Sequence, residues 1–73
     1  MAYVIKNNLP GVKDRTPEVW KKESSARSKF MALAAILSEK YPTKVTFRNR
    51  PLRGTIKVEI DGFYYYVELF KMK

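Results

Sequence analysis

The dipeptide Asp61-Gly62 constrains this chain more than any other feature, because it stands between two segments rich in alternating apolar and polar residues. Both residues accept the positive φ angles that a type I′ turn needs at its centre, and such a turn joins neighbouring antiparallel strands. Gly54-Thr-Ile-Lys-Val-Glu-Ile60 runs into it and Phe63-Tyr-Tyr-Tyr-Val-Glu-Leu-Phe70 runs out. Centring the turn on Asp61 and Gly62 sets the register: Ile60 faces Phe63, Val58 faces Tyr65, Ile56 faces Val67 and Gly54 faces Leu69. Because side chains alternate between faces, a slip of one residue would invert the whole pattern. These pairs define the expected core face. The opposite face pairs Glu59 with Tyr64, Lys57 with Tyr66, Thr55 with Glu68 and Arg53 with Phe70. Rings at Tyr64, Tyr66 and Phe70 are more than a solvated face requires, so that face is the local feature that suggests a function.

The remaining elements are read outward from this hairpin. Ala2-Tyr-Val-Ile-Lys6 is rich in β-formers and is expected to be a strand at a sheet edge. Residues 7–15 read as a surface loop, opened by the turn chemistry of Asn7-Asn-Leu-Pro-Gly11. Thr16-Pro17-Glu18 reads as a helix start: a capping hydroxyl, a proline where no amide is missed, and an acid at the positive end of the dipole. Trp20, Arg27, Phe30 or Met31, Ala34, Leu37 and Tyr41 then fall near one line, with Leu33 and Ile36 widening it. Ser24-Ser25 weakens the early turns. Tyr41-Pro42 ends the helix, since the residue before proline is driven out of the α region. Lys44-Val-Thr-Phe-Arg48 alternates again, with Val45 and Phe47 inward. Asn49–Gly54 reads as a basic loop and Lys71–Lys73 as a tail. The expected fold is a single α+β domain over 1–73, order β-α-β-β-β, with one long helix on one face of a small antiparallel sheet and the other face wet.

Charge narrows the function. Fifteen Lys and Arg against seven Asp and Glu leave +8 on 73 residues. Half of that excess lies in residues 42–53, where Lys44, Arg48, Arg50 and Arg53 meet no acid. Such a patch suits phosphate backbones or acidic protein surfaces, and it also serves solubility. With no cysteine and no histidine, disulfides and the usual zinc ligands are excluded, and the commonest nucleophiles and bases are missing. The carboxylates Glu18, Glu23, Glu39, Glu59 and Glu68 each have basic neighbours, and the three glycines are scattered rather than gathered in a phosphate loop. No enzyme, cofactor or metal is expected. The longest apolar run in the helix, Phe30–Leu37, is far short of the about 20 residues a membrane span needs. A soluble monomer acting where it is made, in the cytoplasm, is the expectation.

The candidate partner-binding residues are therefore Lys44, Arg48, Arg50, Arg53, Lys57, Tyr64, Tyr66 and Phe70. Rings interleaved with cations can stack bases while neutralising phosphate. Tyr, Phe and Arg equally anchor protein interfaces. A purely structural role, with the tyrosines half covered by the N-terminal segment, is the third possibility.

In length, basicity and lack of cysteine the chain resembles the small bacteriophage transcription regulators, of the Xanthomonas phage type, that bind host RNA polymerase. The stretches that carry the comparison are Met1-Ala-Tyr-Val-Ile-Lys-Asn-Asn8, Trp20-Lys-Lys-Glu23 and Asp61-Gly-Phe-Tyr-Tyr-Tyr66. The resemblance implies contact with the large polymerase subunits in the host cytoplasm, displacement of the promoter-specificity factor, and antitermination. It assigns no role to any individual residue. The alternatives are a small nucleic-acid-binding protein using the aromatic sheet face, and a phage inhibitor of another host defence or nuclease complex.

Overall fold

The computed structural model describes residues 2–11 and 16–72. One helix, α1 (Glu23–Lys40), packs on a five-stranded antiparallel sheet made of β1 (Ala2–Asn7), β2 (Glu18–Trp20), β3 (Thr43–Asn49), β4 (Leu52–Ile60) and β5 (Phe63–Met72). The spatial order is β2-β1-β5-β4-β3. This is the expected α+β architecture, with a three-residue strand added ahead of the helix.

The central hairpin has the register that the turn dictates: Ile60 opposite Phe63, Val58 opposite Tyr65, Ile56 opposite Val67 and Gly54 opposite Leu69. Asp61 and Gly62 carry φ of 52° and 83°, the left-handed pair that matches strand twist. Ile56, Val58, Val67 and Leu69 are fully buried beneath Ala26, Phe30, Ala34 and Leu37 of the helix, and Ile5 joins them from β1. The closest approach is at Gly54. A β-carbon there would stand 2.7 Å and 2.8 Å from two ring atoms of Phe30, so the missing side chain is what lets that ring lie on the sheet.

Several expectations are corrected. The helix begins at Glu23, not at Thr16-Pro17, and Trp20 packs on the core from β2 rather than from a helix. Glu18-Val-Trp20 pairs with Tyr3–Ile5 instead, so sheet formation overrides a local capping signal. By the same pairing β1 lies inside the sheet rather than at its edge, held between β2 and β5. Of the loop expected over 7–15, Asn7 belongs to β1 and residues 12–15 lie outside the described residues. The basic loop shrinks to the two residues Arg50-Pro51, because Leu52–Gly54 extend β4. Lys71 and Met72 continue β5 against Tyr3 and Ala2, so they are no tail, while Lys73 lies outside the described residues.

The core face is also narrower than the pattern suggests. Val45 and Phe47 point to the helix side yet stay 40% and 37% exposed, because β3 has a strand on one flank only. Phe63 is 68% exposed. The chain leaves the helix at Tyr41 and enters β3 opposite Val58, which leaves the hairpin tip overhanging. Met31 and Ile36 are exposed, while Ala26, a position without bulk to advertise it, is fully buried. Tyr41-Pro42 does end the helix, with the Tyr41 N–H donating to the Leu37 carbonyl at 2.9 Å.

Candidate binding face

The face of the sheet away from the helix is built by alternation. Strand pairing lays Val19, Val4, Phe70, Arg53 and Arg48 in one row across all five strands. Below it run Lys6, Glu68, Thr55 and Thr46, and then Tyr66, Lys57 and Lys44. Tyr64 and Glu59 close the face at the hairpin end. Adjacent rows are about 7 Å apart and adjacent strands about 4.8 Å, so neighbouring side chains touch.

Seven of the eight residues singled out in the sequence therefore share this face. Arg50 does not. It sits in the β3–β4 turn, beside a groove of about 620 Å³ lined by Glu23, Asn49, Pro51, Leu52, Lys71 and Met72. Nor is the face uniformly wet: Val4 is 3% exposed there, in the row between Val19 and Phe70.

The charges on this face are organised around Glu68. Its carboxylate takes Lys6 at 3.5 Å from one side and Arg53 at 3.3 Å from the other. The same two cations flank the Phe70 ring, with Lys6 Nζ 5.5 Å and the Arg53 guanidinium carbon 6.0 Å from its centroid. Lys57 Nζ lies 4.2 Å from the centroid of Tyr64. A cation over a ring face gains from the ring quadrupole, and its alkyl stem covers apolar surface while the charge stays in water. Lys6 is the residue that sequence reasoning missed. Its signal is present in the alternation of Ala2–Lys6, but it becomes legible only once β5 is known to be the partner strand.

Beyond β1, the N-terminal segment meets this face at Asn8. The Asn8 side-chain oxygen accepts from the Tyr66 N–H at 2.7 Å, and the Asn8 N–H donates to the Tyr66 carbonyl at 3.2 Å. The Tyr66 ring remains 40% exposed and that of Tyr64 54%. Among the described residues no group of three or more acids is placed to hold a metal ion. No helix among the described residues is long and apolar enough to cross a membrane. Comparison with protein-family models, with characterised proteins and with solved structures yields no match.

Proposed function

We propose that the protein is a non-enzymatic regulator that binds host RNA polymerase through its open sheet face and inhibits transcription initiation, with an antitermination role besides. The observation that carries a protein partner is the way cations cover the rings. Lys57 lies over Tyr64, and Lys6 and Arg53 flank Phe70. A base stacking on either ring would have to displace a charge that is already well placed. A carboxylate on a protein surface meets those charges where they stand, while the rings and the exposed Val19 supply apolar contact. The choice of polymerase comes from the resemblance to the phage regulators, and it places the action in the host cytoplasm.

A second reading, a single-stranded nucleic acid platform, draws on Tyr66, which lies directly opposite Lys57 with its neighbour Lys44 in the same row. There a base could stack beside two phosphate-neutralising groups. The double variant Tyr64→Ala/Tyr66→Ala, measured against two ligands, separates the readings. Binding to purified, nucleic-acid-free polymerase is expected to weaken, and binding to a single-stranded oligonucleotide to be feeble and indifferent to the rings. Loss on the oligonucleotide alone, with each ring contributing about 1–3 kcal/mol and affinity falling steeply with salt, would replace the polymerase reading by the second. Loss on neither would make the aromatic face structural and place the partner contact elsewhere, at the basic segment or the N-terminal strand.

A further inference from the structure

The two outer strands of the sheet are unlike each other, and the difference follows from hydrogen-bond parity. In a two-residue hairpin the residues flanking the turn, here Ile60 and Phe63, form a hydrogen-bonded pair. Even-numbered residues of β4 thus bond to β5, and odd-numbered ones bond to β3. The Glu59 N–H donating to the Pro42 carbonyl at 3.1 Å agrees with this parity. Arg53, Thr55 and Lys57 pair with Arg48, Thr46 and Lys44. These three residues of β3 therefore spend their backbone groups on β4, and Thr43, Val45, Phe47 and Asn49 turn N–H and C=O outward. Among the described residues no backbone hydrogen bond from another element reaches Val45 or Phe47. The same parity carried through β5 and β1 leaves β2, with three residues, presenting only Val19 outward.

The β3 edge also has two chemically distinct sides. On the helix side stand Val45 and Phe47, and α1, which packs against this strand, carries Met31, 54% exposed. Met31 lies one helical turn beyond Arg27, whose guanidinium packs 5.1 Å from the Phe47 centroid and donates to the Asn49 side-chain oxygen. On the other side stand Lys44, Thr46 and Arg48, with no acid among them. A second copy of the chain is a poor match for this edge. Antiparallel self-pairing about Thr46 would set Lys44 against Arg48 of the other copy twice over, and parallel self-pairing would set each cation near its own counterpart.

We infer that the β3 edge is a strand-addition site for an extended partner segment that alternates apolar and acidic residues. Its main chain pairs with Val45 and Phe47, its apolar side chains cover Val45, Phe47 and Met31, and its carboxylates meet Lys44 and Arg48. Main-chain bonds supply adhesion and the alternation supplies selectivity. This site is separate from the open-face contact proposed above, although Lys44 and Arg48 border both.

The test uses the full chain and two blocked peptides, each matching the seven residues of β3, one alternating valine with glutamate and the other valine with lysine. With the glutamate peptide at millimolar concentration, exchange of the Val45 and Phe47 amide protons is expected to slow by about tenfold, and the lysine peptide to leave it unchanged. Reversing Lys44→Glu and Arg48→Glu together should exchange the two preferences. Val45→Pro removes an outward N–H and no ladder bond, so the fold is expected to persist while the protection disappears. Equal protection by both peptides would overturn the acidic assignment. Protection that grows with protein concentration and needs no peptide would make a second copy the occupant. Shifts confined to Tyr64 and Tyr66 would remove the edge site and leave the open-face reading standing. No protection with either peptide would overturn the proposal outright.

Discussion

At Gly54 the sheet has a notch, and the ring of Phe30 fills it. An alanine there would bring its β-carbon to 2.7 Å from that ring and 3.1 Å from Phe47, closer than packed carbons stand. Phe30 is fully buried and has little freedom to retreat. Gly54→Ala is therefore expected to cost about 1–3 kcal/mol by overpacking, seen as a melting temperature lower by roughly 5–20 °C. An unchanged melting temperature would mean that the helix does not press on the sheet at that point. In the sequence Gly54 is visible as the register mate of Leu69 and as the end of an expected loop. That glycine is required there depends on a ring far upstream, and no local pattern carries that information. Glu68 shows the opposite case. Its place between cations follows from the hairpin register for Arg53, while the contribution of Lys6 depends on a strand pairing that spans almost the whole chain.

Among the elements, the hairpin's register was legible because two adjacent residues set it. Its pairing runs from Ile60 opposite Phe63 to Arg53 opposite Phe70 as the turn requires, although both strands reach further than the pattern suggests. The helix was legible at its end and not at its start. Proline after Tyr41 stops it whatever the surroundings, whereas the Thr16-Pro17-Glu18 signal competes with a strand pairing to β1 that is worth more. The helix that results has no side-chain cap at Lys22, and its first turn relies on Glu23, which complements the dipole and reaches Arg27 at 3.4 Å. Stability must then come from the buried line of Ala26, Phe30, Ala34 and Leu37. Leu37→Ala should cost about 2–5 kcal/mol in chemical denaturation, a large share of what so small a domain possesses. A midpoint that does not move would place the helix on the sheet by another face.

For the whole molecule, charge was the property most easily read from the sequence, and its placement the least. Arg48 and Arg53 fall in one row of the open face, while Arg50 stands at the turn that joins their strands. Reversing all three to glutamate is expected to slow association with an acidic partner more than tenfold at low ionic strength, with the difference shrinking as salt is added. Stability should change by no more than about 2 kcal/mol, since these side chains are exposed. Equal association rates at low and high salt would reduce the cluster to a solubility device. The strand order has a consequence of another kind, in time rather than energy. β1 is the first strand made, yet it lies against β5, with Ala2 opposite Met72. At about 5–20 residues per second, roughly 3–13 s separate the two during synthesis, and until then β1 has only the three residues of β2 to pair with. Until β5 is made, Val4 and Ile5 lack the neighbours Phe70 and Leu69 that stand opposite them, and the sheet is completed only when β5 pairs with both β1 and β4.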